Sequence, residues 1–166
     1  MKYEMDKLGM IDQRVFRDAL GSFATGICVV TAAPEQGAPI GMTINSFSSV
    51  SLEPPLVLWS IQNVSECFGV FGTTDRFAIS VLSKEQEALS QRYATKADHA
   101  LLDEHYQAGR TGLPVIRDAL TSFECKVWAR YPGGDHLIIV GEVMDVQAEE
   151  PGRPLLFHQG RYAALV

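Results

Sequence analysis

The feature that most constrains the fold is a series of short apolar runs, rich in β-branched residues and separated by proline and glycine. Such runs are typical of β-strands, because branched side chains pack well on a pleated surface, while Pro and Gly supply turn chemistry. The runs are GICVVTAA, APIGMTIN, LVLWSI, FAISVLS, FECKVWARY, HLIIVGEVMDVQ and GRYAALV. The chain is therefore predicted to be mainly β, with about seven strands in an antiparallel barrel.

Helices are predicted outside these strands. Segment 13–24 carries apolar residues at helical spacing and follows Asp12, whose side chain can cap the first turn. Two more helix starts have the capping-box spacing, in which Glu or Gln follows a short polar residue by three positions. These pairs are Asn63 with Glu66 and Ser83 with Gln86. The polar segment 95–113 has no clean period, and we interpret it as a partly helical lid.

Composition predicts one globular domain that spans residues 1–166. Hydrophobic residues make up 46% of the chain and charged residues 20%, as in folded proteins. The net charge of −6 argues against a nucleic-acid partner, since phosphate backbones bind clusters of Lys and Arg. The first residues mix charged and apolar side chains and lack the apolar stretch of a secretion signal or a membrane span. We therefore expect a cytoplasmic protein that does not enter a membrane.

Cysteine spacing and missing motifs exclude several common kinds of site. Cys28, Cys67 and Cys125 are odd in number and widely spaced, which predicts buried free thiols rather than disulfides or a zinc site. The glycine patterns GxGxxG, GxxxxGK[ST] and GxSxG do not occur. A Rossmann domain, a P-loop and an α/β-hydrolase are therefore disfavoured, and no metal site is predicted.

Two polar stretches beside predicted strands are the candidate binding loops. Segment 41–51 holds many hydroxyl and amide side chains, which need hydrogen-bond partners or a polar ligand wherever they are buried. It is either an ordinary Ser/Thr-rich turn or a loop that contacts the heteroatoms of a flat ring. Segment 60–65 lies where a strand ends and a helix is predicted to begin, so it either caps that helix or binds an anion such as phosphate.

Longer motifs, which cover most of the chain from Phe16 to Tyr162, resemble one protein family. They are FRDALGSFATGICVVT, GMTINSFSSVSLEPPLVLWSI, FAISVLSKEQEALSQRYA, GLPVIRDALTSFECKV, GDHLIIVGEV and PLLFHQGRY. In this order they resemble the flavin reductase-like family, and most of all the small reductase components of two-component monooxygenases that hydroxylate phenol or 4-hydroxyphenylacetate. The resemblance implies an FMN-binding split β-barrel, antiparallel and Greek-key-like, with flanking helices and no Rossmann domain.

The resemblance also implies which residues contact the cofactors. Those expected to line or adjoin the flavin ring are Thr43, Ile44, Asn45, Ser46, Phe47, Ser49 and Val50. Those expected to hold the ribityl chain and the phosphate are Ser60, Ile61, Gln62, Asn63 and Ser65, with Gln86 and Arg92 adding a donor and a cation. Those matching positions beside the nicotinamide and the flavin are His136, Arg161 and Tyr162.

The activity that the resemblance implies is NAD(P)H-dependent flavin reduction. A homodimer would pass hydride from NADH or NADPH to FMN or FAD, and the reduced flavin would leave for a partner monooxygenase. Two alternatives stay open. One is a split-barrel flavoprotein that retains its flavin and reduces a corrinoid, a ferric complex or a quinone. The other is a non-catalytic module that binds flavin or haem.

His136 is the candidate for a catalytic role, in positioning the nicotinamide. It follows the predicted turn 132–135 and begins a strand in which Ile138 and Val140 are predicted to face inward. Alternation then turns the imidazole toward the interior or the mouth of the barrel. The alternative is that His136 is a simple turn residue.

Overall fold

The structure is a computed structural model that describes residues 11–149 and 152–165. Its helices are α1 (Gln13–Leu20), α2 (Phe68–Phe71) and α3 (Glu87–Ala94), with a 3-10 turn at Lys84–Gln86 directly before α3. Its strands are β1 (Thr25–Gly26), β2 (Cys28–Ala32), β3 (Ile40–Ile44), β4 (Ser48–Leu52), β5 (Pro55–Gln62), β6 (Arg76–Val81), β7 (Tyr106–Ala108), β8 (Pro114–Ile116), β9 (Thr121–Gly133), β10 (His136–Ala148), β11 (Leu156–His158) and β12 (Arg161–Ala163). No helix within these ranges is long and apolar enough to cross a bilayer.

One antiparallel sheet of seven strands forms a barrel, in the order β3, β2, β6, β9, β10, β5, β4. Its edge strands, β3 and β4, are consecutive in the chain and are joined by Asn45, Ser46 and Phe47 alone. So short a link cannot cross a flat sheet whose strands lie about 5 Å apart, and the sheet therefore curls until its edges meet. Among the described residues no ladder pairs β3 with β4, so the barrel is split at this seam.

Side-chain alternation sorts the apolar residues into two cores on either side of the barrel wall. On β2, Val30 faces the interior with Trp59 and Phe77, whereas Val29 packs under Tyr93 of helix α3. All five of these side chains are fully buried. Strand β2 is therefore covered on both faces, and helix α3 is held firmly against the outside of the barrel beside β3.

Two predicted helix ends are confirmed and one is wrong. Asp12 caps α1, because its Oδ1 accepts from the backbone N–H of Arg14 at 2.8 Å. The backbone N–H of Ser83 donates to Gln86 Oε1 at 3.0 Å, as the capping box predicts. The pair at Asn63, however, lies in a turn, and α2 begins only at Phe68. The Asn63 amide instead donates to a carbonyl of the β9–β10 turn at 3.4 Å.

Segment 95–113 differs from its prediction as a partly helical lid. It contains turns and strand β7, which pairs with β8, and it contains no helix. An isolated bridge between Ile40 and Ala100 ties it to β3. The short strands β1, β4, β7, β8 and β11 are not predicted by the sequence, because none of them lies in an apolar run long enough to be recognised as a strand.

Candidate functional site

A cavity of about 320 Å³ opens at the seam of the barrel, between the ends of β3, β5 and α3 and the start of β10. Its lining residues are Met42, Thr43, Ile44, Asn45, Ser46, Ser60, Ile61, Gln62, Ser65, Tyr93, Ala94 and His136. Nine of these twelve residues are predicted cofactor contacts. Eight of the nine lie in the two polar stretches, and the ninth is His136. The volume falls within the range of sites for small organic ligands, about 300–1,000 Å³.

Two hydroxyl groups of the cavity are fixed by bonds to neighbouring elements, one to α3 and one to β5. Thr43 Oγ1 donates to the backbone carbonyl of Ser90 in α3 at 2.6 Å. Ser46 Oγ accepts from the backbone N–H of Ser60 at 3.0 Å and donates to the carbonyl of the same residue at 3.2 Å. Ser46 therefore holds the link between the edge strands against β5, and its proton is already used within the protein.

The turn after β5 presents a third hydroxyl with a weakly held proton. Ser65 Oγ accepts from the backbone N–H of Cys67 at 3.2 Å and points its proton at Met42 Sδ, 3.6 Å away. A thioether sulfur is a poor acceptor, so an oxygen of a ligand would displace it readily. The turn itself is tied to the β9–β10 hairpin, since the backbone N–H of Asn63 donates to the carbonyl of Asp135 at 2.9 Å.

The apolar and the exposed polar parts of the lining complement each other. Ile44 and Ile61 are 6% and 1% exposed, so they form an apolar backing to the cavity and leave little of their own surface open. Asn45 and Gln62 are exposed at the mouth, where their amide groups can turn toward a ligand. An apolar backing with hydroxyl and amide groups at its rim suits a flat heterocycle that carries a polar chain.

His136 lines the cavity, but it lies on the face of β10 opposite to the one that packs in the barrel interior. Leu137 and Ile139 pack in the barrel interior, so His136 shares the opposite face with Ile138 and Val140. The prediction that Ile138 and Val140 face inward is therefore wrong. The run Leu-Ile-Ile-Val is apolar on both faces, so its alternation does not reveal which face is inside.

The imidazole of His136 is oriented by its neighbour in the hairpin turn. His136 Nδ1 lies 2.7 Å from Asp135 Oδ1, and this hydrogen bond with the attraction between the two groups lowers the pKa of the Asp135 carboxyl. The side chain of Asp135 is exposed, whereas that of His136 is about one third exposed at the cavity rim. Because Asp135 engages Nδ1, the Nε2 atom is the one left for a ligand.

Comparison with known proteins decides the family. The sequence profile of the flavin reductase like domain matches residues 20–165. The chain belongs to the flavin reductase-like family. An FMN reductase (NADH) from Agrobacterium fabrum is 48% identical over 151 residues, which span 91% of this chain and 85% of that protein. The reductase subunit of a flavin-dependent monooxygenase from Mycobacterium tuberculosis is 36% identical over 158 residues, spanning 93% and 83%.

Solved flavin reductases share the fold. An NADH:FAD oxidoreductase from Streptomyces globisporus, solved in complex with NAD and FAD fragments, superposes with a TM-score of 0.87 at 34% identity, over 95% of this chain and 96% of that one. A flavin reductase solved in its native state gives 0.85 at 39% identity, over 94% and 99%. The predicted split-barrel fold of this flavin reductase-like chain is confirmed, and so is its predicted enzyme class, an NAD(P)H-dependent flavin oxidoreductase.

Some of the residues that the family motifs predict as cofactor contacts are not in the cavity lining of this flavin reductase-like chain. Phe47 packs in the barrel core against Phe123, with 5.5 Å between ring centroids. Ser49 and Val50 are exposed on β4. Gln86 caps the turn before α3 and also donates to the carbonyl of Arg117 at 2.8 Å.

Asn63 and three further members of the predicted set are not among the lining residues of the cavity. Arg92 pairs with Asp98 at 2.6 Å, and its buried Nε has no partner among the described residues. Arg161 is exposed on β12. The Tyr162 hydroxyl lies 2.9 Å from Ser90 Oγ on α3, and Tyr162 is not among the lining residues of the cavity.

The cavity is also lined by Met42, Tyr93 and Ala94, which are not among the predicted site residues. Tyr93 is fully buried, and its hydroxyl bonds to His105 Nδ1 at 2.8 Å. Apolar residues at helical or strand spacing predict only a core position, so no local signal marks them as lining residues. A larger cavity of about 550 Å³ lies near α2 and the β2–β3 loop, but it contains none of the predicted site residues.

The three cysteines are buried and free, as predicted. Burial raises the pKa of Cys28 and of Cys125 to about 12 and, together with the neighbouring Glu66, that of Cys67 to about 11. A thiol with so high a pKa is not a nucleophile near neutral pH. These residues therefore serve the core and not the chemistry of the site.

Proposed function

We propose that this chain, taken as one domain over residues 1–166, oxidises NADH or NADPH, reduces FMN or FAD, and releases the reduced flavin to a partner monooxygenase. The observation that carries this proposal is the seam cavity, which gathers residues of both polar stretches and His136 in one place. The names of its relatives, an FMN reductase (NADH) and monooxygenase reductase subunits, support the same reaction.

The flavin ring occupies the part of the cavity formed by β3 and the link that follows it. Ile44 and Ile61, which are nearly fully buried, form the apolar backing of this part of the cavity. Thr43 and Asn45 present polar atoms near the same backing, and Ser46 keeps the link in place through its two bonds to Ser60. The remaining predicted ring contacts, Phe47, Ser49 and Val50, adjoin this part of the chain in sequence.

The phosphate end lies toward the turn after β5. The Ser65 hydroxyl is available there, because its proton is held only by a sulfur atom. Gln62 and Asn63 add amide groups at the same turn. Arg92 supplies a positive charge on α3, two residues before Ala94 of the cavity lining, and its ion pair with Asp98 is partly exposed to solvent.

Bound flavin supplies the hydride-accepting ring, and the nicotinamide supplies the hydride. The protein has to hold the two rings face to face and exclude water from between them. His136 borders the cavity with Nε2 directed to a ligand, and we assign it the role of positioning the nicotinamide. No side chain is needed as a base, because hydride transfer moves no proton from the protein.

The protein is proposed to be a cytoplasmic homodimer. A second copy of the chain covers exposed apolar side chains and completes the shared site, as in a homodimer. A cytoplasmic location agrees with three free thiols, because oxidising compartments favour disulfides.

The experiment is NADH or NADPH oxidation by the purified protein after dialysis, with and without added FMN or FAD. Oxidation is expected to depend on added flavin and to saturate with it. A flavin that survives dialysis and supports reduction of another acceptor would favour a retained prosthetic group. Absence of oxidation with both flavins would contradict a reductase and favour a non-catalytic binding module.

A further inference from the structure

The hydrogen bond from Thr43 to helix α3 has a fixed direction. A backbone carbonyl has no proton, so in the 2.6 Å contact between Thr43 Oγ1 and the Ser90 carbonyl the threonine must be the donor. A hydroxyl carries one proton and two lone pairs. With the proton committed to Ser90, Thr43 offers only lone pairs to the cavity that it lines.

Ser90 is placed so that this direction persists. It is fully buried, so water does not compete for its carbonyl. Its own hydroxyl lies 2.9 Å from the hydroxyl of Tyr162, which packs edge-on against Phe157 at 5.6 Å between ring centroids. The C-terminal strands therefore anchor the middle of α3, and α3 in turn fixes the Thr43 hydroxyl.

We propose that Thr43 acts as an obligatory hydrogen-bond acceptor in the cavity and recognises the imide N–H of the flavin pyrimidine ring. The inference deepens the proposed function and depends on it. Oxidised flavin has nitrogen and carbonyl acceptors around its ring but carries a single ring N–H, the imide. An acceptor that cannot reverse its role pairs with that group and repels the others, which fixes the orientation of the ring.

The test compares two ligands, FMN and FMN methylated at the imide nitrogen. Thr43→Val keeps the shape of the side chain and removes the acceptor, whereas Thr43→Ser retains the hydroxyl. Thr43→Val is expected to weaken FMN binding about tenfold, the effect of one lost hydrogen bond, and to change binding of the methylated ligand less than about twofold. Thr43→Ser is expected to bind FMN within about twofold of the wild type.

Thr31→Val is the matched control. Thr31 lies on the neighbouring strand β2, is fully buried, and also donates its hydroxyl to a backbone carbonyl, that of Pro114, but it does not line the cavity. The Thr31→Val substitution removes a bond of the same kind and is expected to leave FMN affinity unchanged. Circular dichroism of each variant checks that the fold is intact.

The outcomes separate the inference from the proposed function. Equal losses for both ligands in Thr43→Val would assign the hydroxyl to another donor, such as a ribityl hydroxyl, and would overturn the inference alone. Unchanged FMN binding in Thr43→Val would do the same. A wild type that binds neither ligand would overturn the proposed function, and the inference with it.

Discussion

At the residue scale, His136 lines the cavity, and Asp135 holds its Nδ1, which leaves Nε2 without a partner among the described residues. Replacing it with Ala is expected to lower kcat/KM for NADH about tenfold, because one hydrogen bond to the dinucleotide is lost, while flavin affinity changes little. Steady-state kinetics at saturating flavin, with NADH varied, measure this. His158→Ala is a suitable control, since His158 lies on β11 and outside the cavity lining.

The same variant has a second readout that does not require activity. The hydrogen bond with His136 is the largest cause of the lowered pKa of Asp135, so His136→Ala should raise that pKa toward its ordinary value in an NMR titration. If the pKa rises but NADH kinetics stay identical to wild type, His136 orients the turn and has no role with the nicotinamide.

The sequence predicts the identity of most cavity residues but not their hydrogen bonds. Thr43, Asn45 and Ser46 stand in one polar run, so both their chemistry and their proximity are visible in the sequence. The partner of Thr43 is Ser90, 47 positions away on a helix, and no local pattern connects the two. For the same reason, the motif that predicts Tyr162 beside the cofactors does not reveal its contact with Ser90.

At the element scale, Gly141 permits β10 to bend across the barrel. A β-bulge displaces the β9–β10 register between Val140 and Gly141. A Cβ at residue 141 would lie 2.5 Å from Phe77 Cζ and 3.0 Å from Cys125 Cβ. Both neighbours are fully buried in the barrel core, so neither can move aside without disturbing the packing.

Gly141→Ala is therefore expected to lower the free energy of unfolding by about 1–3 kcal/mol, the usual effect of overpacking a core. Urea denaturation followed by fluorescence measures this. Gly26→Ala serves as the control, because a Cβ at that strand glycine meets nothing within 4 Å. Equal denaturation midpoints for the two variants would show that the core at β10 adapts to an added methyl group.

Elements with long periodic patterns are predicted from the sequence, and those defined by tertiary contacts are not. The hairpin of β9 and β10 has 13 residues in each strand and a Pro-Gly-Gly-Asp turn, so the sequence predicts the hairpin but not which face of β10 lies inside. Segment 95–113 is held instead by contacts with distant parts of the chain. One of them is the Glu66 carboxylate, which accepts from the backbone N–H of Ala97 at 2.7 Å.

At the scale of the whole molecule, the single chain leaves large apolar side chains uncovered. Helix α1 buries none of its residues, and Phe16 and Leu20 on it are 53% and 58% exposed. Trp128 on β9 is 52% exposed, and Leu52 on β4 is 96% exposed. We propose that a second copy of the chain covers these side chains.

Sedimentation velocity is expected to show a species of twice the 18.2 kDa chain mass. Because a shared site would be complete only in the dimer, dilution below the dimer dissociation constant should also weaken flavin binding. A monomer that binds flavin as tightly as the concentrated protein would contradict the shared site.

The split between β3 and β4 affects how a ligand reaches and leaves the cavity at the seam. In a closed barrel, access to the inside requires breaking a row of ladder hydrogen bonds. Here no ladder joins β3 to β4 among the described residues, and the three-residue link between them is tied to β5 by the two bonds between Ser46 and Ser60. The seam can therefore widen to take up or release a flat molecule without breaking any described strand pairing.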